Sequence, residues 1–461
     1  MSKYLVLTTL LSALYWQSSK AQVNFVEHII GTQADGPHFV AIADIDGDSD
    51  MDLVSSSEFD SDLRVYYNNG NQVFTDQILT WVTASNLIVT DFDEDNDLDI
   101  FTTCGADGTI SWFRNLGGGN FNTAATYNEG SPRAAYLILA DTDQDDDLDI
   151  VTSRNADTPS STLSSLENDG FNQFSTQQAI ATAAPTEKVA AADLNNDGFP
   201  EIITVTDGAV RWYANNAGDI ATTGTLIDNT VSARAIDVAD FNADGFLDIA
   251  VGSLDYNKPL AWYPNNGGTA FGTFRLISNL FDYIHDVKAA DFDGDGDMDV
   301  VGSDSEMGHK IVWFANNGTG TFGVLRTVNN DIASPHGLAV GDIDGDGDID
   351  IAATSSWDDQ VIWYENQVPG SAVQNADNNN NTLQATRTDA HTIQLTLDAT
   401  QPDRHALLQV YDVCGKAVAQ QTWQIEAGHN QLSIPMQGLP EGMYIARLYA
   451  QGQSVGAKWI Y

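Results

Sequence analysis

Seven short acidic segments contain the side chains in this sequence that are best suited to bind a metal ion. Each follows the pattern Asp-x-Asp/Asn-x-Asp-x-x-x-Asp/Glu, so that oxygen-bearing side chains stand at positions 1, 3, 5 and 9. Oxygen ligands at alternate positions of a tight loop suit a hard cation, and Ca²⁺ accepts about 6–8 of them in irregular geometry. The sequence therefore predicts calcium binding, with up to seven ions.

Four side chains per segment are the predicted ligands, and the backbone carbonyl at position 7 is predicted to join them. In chain order these side chains are Asp44, Asp46, Asp48 and Asp52; Asp91, Asp93, Asp95 and Asp99; Asp141, Asp143, Asp145 and Asp149; Asp193, Asn195, Asp197 and Glu201; Asp240, Asn242, Asp244 and Asp248; Asp291, Asp293, Asp295 and Asp299; and Asp342, Asp344, Asp346 and Asp350. The segments are not EF-hands, because position 12 is never Glu and the flanks read as strands.

The residue at position 6 should need a left-handed backbone. Gly stands there in four segments, whereas Ser49, Asn96 and Asp146 stand there in the other three, which predicts looser loops. The alternative is a set of solvated acidic hairpins without metal. Two carboxylates ~4 Å apart repel by about 1 kcal/mol in water, and by about 4 kcal/mol at an effective dielectric constant near 20. This repulsion favours the metal-bound interpretation.

A second signature follows each acidic segment, and together the two define a repeat. It is an apolar-aromatic run that ends in Asn, as in Trp262-Tyr263-Pro264-Asn265, with a degenerate third copy at Ser165-Leu166-Glu167-Asn168. The repeats recur at 47 to 52 residues and alternate apolar with polar residues between Gly, Asn and Asp, which is typical of about four short strands. The pattern predicts an all-β fold, a seven-bladed β-propeller with calcium-binding loops, and an open solenoid is the alternative.

The two ends of the repeat array favour a closed ring. The seventh repeat ends at Asn366 and lacks the strand that follows in the other repeats. A matching strand stands at the front of the mature chain, from Phe25 to Ile30. We expect this N-terminal strand to complete the last blade, which leaves no open sheet edge at the seam.

The repeats resemble the FG-GAP/VCBS type, the blades also seen in integrin α-subunit propellers. The resemblance covers about Asn24 to Asn366, and the clearest copy runs from Asp342 to Asp350 as Asp-Ile-Asp-Gly-Asp-Gly-Asp-Ile-Asp. It implies that the loops lie between the first two strands of each blade and hold structural calcium. Some members of this family bind ligands, glycans or proteins, and a minority are parts of enzymes, including lyases and dehydratases that act on sugars.

The residue six places before each acidic segment is the one candidate for a ligand site. These residues are His38, Ser85, Ala135, Glu187, Arg234, His285 and His336. If their strand is innermost, they line one mouth of the central channel. His38, Glu187, Arg234, His285 and His336 are then predicted to bind a polar ligand or to do acid–base work. Alternatively, a wet channel entrance simply tolerates polar residues. The repeated tryptophans are predicted to form core between blades rather than a sugar-stacking surface.

The two ends of the chain outside the repeats have separate roles. Residues 1–21 read as a signal peptide, residues 22–366 as the propeller, and residues 367–388 as a linker rich in Asn. Residues 389–461 regain strand-like alternation and are predicted to form a small β-sandwich. An accessory binding domain is one interpretation of this last segment.

The last segment also resembles the C-terminal sorting domain of the type IX secretion system of Bacteroidota. The matching stretches are 408–416, which contains Tyr411, Cys414 and Gly415, then Gly428-His429-Asn430 and 439–444. The resemblance implies recognition by the secretion machinery at the outer membrane, and a protein that is secreted or held at the cell surface.

The net charge and the motifs visible in the sequence restrict the possible functions further. The net charge of −46 argues against a nucleic-acid partner, since phosphate contacts require Lys and Arg. No later segment is long and apolar enough to predict a transmembrane helix, and no nucleophile elbow, phosphate loop or zinc motif is visible. We therefore expect a secreted binding or adhesion module for a glycan or protein ligand. A polysaccharide-active enzyme, such as a lyase with its site at the channel mouth, is the alternative.

Overall fold

The computed structural model describes most of the repeat region and the strands of the C-terminal region. The described residues are 23–59, 61–81, 84–104, 109–122, 125–128, 134–154, 162–170, 174, 178–182, 186–255, 259–268, 270–281, 283–305, 308–367, 383–389, 392–399, 403–412, 417–425, 428–435, 443–450 and 453–460. The predicted signal peptide and most of the predicted linker lie outside them. Every regular element in these ranges is a β-strand.

The repeat region forms seven antiparallel sheets, the blades of a propeller. The chain begins with β1 (Phe25–Gly31), and blades one to three contain β2 (Pro37–Ala43), β3 (Asp52–Ser57), β4 (Asp62–Asn68), β5 (Phe74–Trp81); β6 (Ala84–Thr90), β7 (Asp99–Cys104), β8 (Thr109–Phe113), β9 (Ala125–Asn128); and β10 (Ala134–Ala140), β11 (Asp149–Arg154), β12 (Thr162–Leu166), β13 (Gln178–Thr182). Blades four and five contain β14 (Thr186–Ala192), β15 (Glu201–Thr206), β16 (Ala209–Tyr213), the small hairpin β17 (Asn215–Asn216) and β18 (Asp219–Ile220), β19 (Thr225–Asp228); and β20 (Ala233–Ala239), β21 (Asp248–Ser253), β22 (Leu260–Tyr263), β23 (Arg275–Ser278). Blades six and seven contain β24 (Ile284–Ala290), β25 (Asp299–Asp304), β26 (Lys310–Phe314), β27 (Arg326–Asn329); and β28 (Pro335–Gly341), β29 (Asp350–Ser355), β30 (Gln360–Asn366).

The ring closes as the sequence predicts. β1 pairs with β30, from Phe25 opposite Asn366 to Gly31 opposite Val361, and gives blade seven its fourth strand in the order β1-β30-β29-β28. The first strand of each blade contacts the first strand of the next blade, and β28 contacts β2. These first strands therefore line the centre of the ring, which confirms the seven-bladed propeller and rules out the open solenoid.

The core lies between neighbouring blades. The second strands β3, β15, β21, β25 and β29 are buried along their whole length, because a neighbouring blade covers each of their faces. The repeated tryptophans Trp262, Trp313 and Trp363 are at most 1% exposed. Trp262, for example, packs with Val312 and Phe314 of the following blade. The prediction that these rings form core is confirmed.

The C-terminal region forms two further antiparallel sheets. Its strands are β31 (Leu383–Asp389), β32 (Thr392–Ala399), β33 (Asp403–Asp412), β34 (Ala417–Ile425), β35 (Gly428–Pro435), β36 (Met443–Ala450) and β37 (Gln453–Ile460). One sheet has the order β31-β32-β35 and the other β34-β33-β36-β37, which is the predicted small β-sandwich. Strand structure begins at Leu383, inside the segment predicted to be linker. No helix in the described part of the chain has the length and hydropathy to cross a membrane.

Candidate metal loops and a polar pocket at the channel mouth

Each acidic segment forms the loop between the first and second strands of its blade. All seven loops therefore lie at the same end of the ring, which we call the loop face. In every loop the carboxylate at position 1 accepts the N–H of position 6, as in Gly296 N to Asp291 Oδ2 at 2.8 Å and Ser49 N to Asp44 Oδ2 at 2.9 Å. Position 6 has a positive φ in all seven, from 69° at Asn96 to 95° at Gly198. The predicted left-handed backbone is thus present even where position 6 is not Gly.

Three carboxylates converge in five of the loops. Their oxygens lie within 4.8 Å of one another at Asp44, Asp46 and Asp48; Asp91, Asp93 and Asp95; Asp141, Asp143 and Asp145; Asp291, Asp293 and Asp295; and Asp342, Asp344 and Asp350. The fourth and fifth loops have Asn195 and Asn242 at position 3, and the amide of each donates to the carboxylate at position 9. Three predicted ligands are therefore neighbours in space in five loops, and the ligands at positions 3 and 9 are neighbours in the other two.

Position 9 differs from the other ligand positions because it is completely buried. Asp350 accepts the N–H of Ile343 at 2.9 Å through one oxygen and the N–H of Asn366 at 2.7 Å through the other. Burial raises the pKa of Asp52 and Asp248 to about 7, although backbone N–H groups act in the opposite direction. This carboxylate therefore fixes the loop to the third strand of its own blade, in addition to any role towards a metal.

In six of the seven blades the signature Asn joins its blade to the loop of the preceding blade. The side-chain amide of Asn115 donates to the carbonyl of Ile45 at 2.8 Å, and the side-chain amide of Asn265 donates to the carbonyl of Leu194 at 2.7 Å. The bonds of the same kind elsewhere are Asn215 to Thr142, Asn316 to Phe241, Asn366 to Phe292 and, across the seam, Asn68 to Ile343. In these six blades the acceptor is position 2 of an acidic loop, so the second sequence signature is a contact between blades. In blade three the amide of Asn168 donates instead to Leu148 of its own loop.

The second loop has its own counter-charge. Arg114 of the aromatic signature contacts Asp93 through Nε at 2.5 Å and Asp95 through Nη2 at 2.9 Å. The corresponding residue is Glu167 in blade three and Glu365 in blade seven, and the negative charge of each contributes to a raised pKa, of Asp143 and Asp344 respectively. The loops therefore differ in the charge that they offer a cation, and in the second a guanidinium offsets part of that charge.

Replacing Arg114 by Ala is expected to strengthen calcium binding at the second loop about fivefold, because two ion pairs no longer compete with the metal. Calorimetric titration of the chelated protein with Ca²⁺ measures this change. Arg326→Ala is the matched control, since that guanidinium packs over Trp313. Unchanged affinity in Arg114→Ala would show that this loop does not take calcium.

The opposite end of the ring contains a polar pocket of about 380 Å³. Blade one contributes His38, Glu58 and Phe59 to its wall, and blade six contributes His285 and Ser305. Blade seven contributes Ser334, His336, Ser356 and Trp357. The structure thus brings together the three histidines that the sequence predicts at the channel mouth.

A β-bulge places these histidines. In every blade the pairing of the first and second strands shifts by a residue at the channel-mouth position, as between Pro37 and Phe39 or between Ile284 and Asp286. The extra residue is left out of the strand register, and bulges of this kind re-aim a side chain. His38 and His285 are the extra residues of their strands, and in blade seven His336 and Gly337 together lie opposite Thr354, so the three histidines can turn towards the mouth.

The three rings form one contiguous group. His285 and His336 are stacked, with ring centroids 4.2 Å apart and ring planes 1° apart. His38 meets His336 edge to face at 4.1 Å, and its Nε2 lies 3.1 Å from Glu58 Oε2. Burial, with the nearby charge of Arg234, lowers the pKa of His285 to about 4. Burial and the neighbouring histidines lower the pKa of His336 to about 2, so both rings are neutral near pH 7.

The remaining predicted channel-mouth residues take other places. Arg234 is close enough to lower the pKa of both stacked histidines, but it is not part of the pocket wall. Glu187 lies on β14, and its side chain is outside the described residues. Sequence reasoning missed Glu58, Phe59 and Trp357, because they lie in hairpins between second and third strands, where the repeats share no pattern.

The channel is filled one residue beyond the histidines. Phe39 and Tyr136 meet across the centre with ring centroids 6.4 Å apart, and the ammonium of Lys188 lies 5.4 Å from the Tyr136 ring. Lys188 Nζ is 3.6 Å from Asp286 Oδ1. Although burial raises the pKa of Asp286, the charges of Lys188 and Lys288 bring it below its ordinary value, so this carboxylate is ionised near pH 7.

Two family comparisons match this chain. The FG-GAP-like repeat matches residues 91–152, 193–251, 240–302 and 291–353, and the secretion system C-terminal sorting domain matches residues 387–461. The comparison with curated proteins yields no match.

Solved structures with the same fold are distant in sequence. A lectin from Agrocybe aegerita, described as recognising non-reducing terminal N-acetylglucosamine, is 21% identical, with a TM-score of 0.50 over 65% of this chain and 81% of that one. BBS1N, solved in complex with ARL6DN, is 13% identical, with a TM-score of 0.52 over 75% of this chain and 97% of that one. These likenesses concern the propeller fold. The chain is an FG-GAP-like repeat propeller followed by a type IX secretion sorting domain, which directs it across the outer membrane to the cell surface or the medium.

Proposed function

We propose that this protein is a calcium-stabilised binding module that acts outside the cell, with its ligand site in the polar pocket opposite the loop face. The observation that carries the proposal is the convergence of His38, His285 and His336, from three different blades, in one open pocket. A structural role does not require three bulged histidines at one place. The ligand is a glycan or a protein, in keeping with a secreted or surface-held chain.

The acidic loops fit calcium by the chemistry of their donors. They offer oxygen ligands alone, which suit a hard cation and not a transition metal. Asp143 Oδ1 is buried and has no hydrogen-bond partner among the described residues, as expected of an atom reserved for a cation. The side chains at positions 1, 3 and 5 would hold the ion, and the carboxylate at position 9 would complete the site. Calcium would neutralise the carboxylates and rigidify the ring.

The pocket is better suited to binding than to proton transfer. A general base works best with a pKa near the working pH. Burial, aided by neighbouring charges, takes the pKa of His285 to about 4 and that of His336 to about 2, well below that range. Neutral imidazoles still donate and accept hydrogen bonds. This supports a binding module over the alternative, a polysaccharide lyase at the channel mouth.

Retention on immobilised polysaccharides and proteins tests the proposal. The full chain is applied to a panel of both kinds of matrix, and released sugars are assayed in the same samples. We expect retention without released products, and we expect the double variant His285→Ala/His336→Ala to lose most of it. Ser85→Ala, at the equivalent position of blade two, is the matched control. Release of products, above all unsaturated sugars, would contradict the proposal in favour of a lyase.

A further inference from the structure

Two exposed aromatic rings flank the polar pocket. Trp357 is 67% exposed and Phe59 is 64% exposed, although both belong to residue types that a folded protein usually buries. Trp357 lies outside the repeat signature, whose tryptophans Trp262, Trp313 and Trp363 are core residues. The exposure of Trp357 therefore has no explanation in the packing of blades. Large apolar groups exposed beside a concave polar site are typical of a ligand surface.

Both rings stand on anchored backbone. The Phe59 ring packs directly on Gly36, where any Cβ would collide with it, and the Phe59 N–H donates to the carbonyl of Asp35 at 3.2 Å. The Trp357 N–H donates to the carbonyl of Ala333 at 3.3 Å. Gly36 N also donates to Asp359 Oδ1 at 3.1 Å, which joins the hairpin of Trp357 to the segment that supports Phe59. The backbone that carries the two rings is thus fixed before any ligand arrives.

The pocket between the rings contains polar atoms without partners. Ser305 is 1% exposed, and its Oγ has no hydrogen-bond partner among the described residues. The same holds for Nδ1 of His336, whose Nε2 lies 3.2 Å from Ser334 Oγ. Ser334 has a φ of 54°, a left-handed backbone that is strained for a residue other than Gly and that clusters at functional sites. Each buried unpaired group is costly unless a ligand satisfies it.

We propose that this pocket binds one neutral sugar unit, stacked against Trp357 and hydrogen-bonded by Ser305, Ser334 and His336. The inference rests on the binding function proposed above and names the ligand class of that site. A pyranose ring offers weakly positive C–H groups on one face, which suit the negative face of an indole, and hydroxyl groups around its edge. The volume of about 380 Å³ lies in the range of small-molecule sites, ~300–1,000 Å³.

Charge selects a neutral sugar over an acidic one. The wall of the pocket contains Glu58 and no Lys or Arg, and the imidazoles of His285 and His336 are uncharged near pH 7. The chain as a whole has a net charge of −46. A uronic acid would therefore meet repulsion at long range from the net charge and at short range from Glu58. Arg234 is close to the stacked histidines but is not part of the wall, so it is not placed to pair with the carboxylate.

Calorimetric titration of the full chain tests the inference. The probes are the methyl glycosides of glucose, galactose, mannose and N-acetylglucosamine, and glucuronic and galacturonic acid. We expect at least one neutral glycoside to bind and both uronic acids to bind more weakly. Trp357→Ala should weaken the binding of the neutral glycoside about tenfold, and Trp357→Phe should restore part of it. Val324→Ala, at a residue 81% exposed and outside the pocket wall, is the control for a surface substitution.

The outcomes separate the sugar inference from the binding function. Tighter binding of the uronic acids, or neutral binding that Trp357→Ala leaves unchanged, would overturn the inference alone. So would the absence of all glycoside binding in a chain that is still retained on a protein matrix through His285 and His336. A chain that neither binds a glycoside nor is retained on any matrix would overturn both. A melting temperature equal to that of the wild type shows that Trp357→Ala is folded.

Discussion

Chelation of calcium is expected to remove most of the stability of the propeller. Occupancy at ten times the dissociation constant stabilises the folded state by about 1.4 kcal/mol per site. Seven independent sites would together contribute about 10 kcal/mol, comparable with the ~5–15 kcal/mol of a typical domain. We therefore expect the melting temperature to fall steeply when excess chelator replaces calcium at about 1 mM. Scanning calorimetry of the same sample in both conditions measures it.

The stabilisation of the propeller by calcium should increase as the pH rises. Burial raises the pKa of Asp52 and Asp248 to about 7 in the metal-free loops, and burial with the neighbouring carboxylates raises that of Asp346 to about 8. The metal-free folded state then binds more protons than the unfolded state between about pH 4 and 8, so its stability falls as the pH rises. Calcium requires the ionised form. The stabilisation by calcium should therefore be larger at pH 8 than at pH 5.

A magnesium sample at equal concentration is the control for ionic strength and for non-specific screening. The lowered pKa values of His285 and His336 reduce stability as the pH falls below about 6.5, with or without calcium, so their contribution cancels in the difference. Equal melting temperatures with calcium and with chelator at pH 8 would mean that the loops are stable as empty acidic hairpins.

A chain that begins after Gly31 is expected to lose its closed ring. β1 supplies the fourth strand of blade seven, and without it β30 presents an unpaired edge. The Phe25 ring lies 6.2 Å from Phe292 and 6.5 Å from Trp313, and His28 stacks on Trp363 at 4.4 Å. The loss of these contacts and of the strand pairing should cost on the order of 5 kcal/mol or more. Chemical denaturation measures it, and light scattering should reveal association through the open edge.

Complementation gives this deletion a control. A synthetic peptide with the sequence of residues 23–31 should restore the melting temperature of the shortened chain, because β30 offers the same pairing register to a separate strand. A peptide in which Phe25 and His28 are replaced by Ser should restore it less. A shortened chain as stable as the full one would contradict the role of β1 as the closing strand.

The sequence was sufficient to predict the architecture because the same motifs recur in every blade. Seven acidic loops at regular intervals, seven Asn signatures and one displaced strand each leave a mark that self-comparison detects. The same regularity located His38, His285 and His336 at one mouth of the channel, since all first strands are innermost. The sequence could not show the β-bulge at this position, because a bulge depends on the register between the first and second strands. The seven blades also share no residue type at this position that would indicate a bulge.

The rest of the pocket could not be predicted for a related reason. Glu58, Phe59 and Trp357 lie in hairpins that differ from blade to blade, so no periodic pattern points to them. Their proximity is a consequence of ring closure, which places blade one beside blade seven although the chain separates Phe59 from Trp357 by nearly the whole propeller. Similarly, Arg114 looks like an ordinary signature residue until the fold places it over Asp93 and Asp95.

The bonds from six of the seven signature asparagines give the ring a direction. Asn115 depends on the loop of blade one, Asn366 on the loop of blade six, and Asn68 on the loop of blade seven through the carbonyl of Ile343. A loop that loses its ion would thus loosen the blade that follows it, except at blade three, where Asn168 donates to Leu148 of its own blade. In an open array such a disturbance ends at the last repeat. Here the pairing of β1 with β30 leaves no terminal repeat, so the propeller should melt as a single unit with no fraying end.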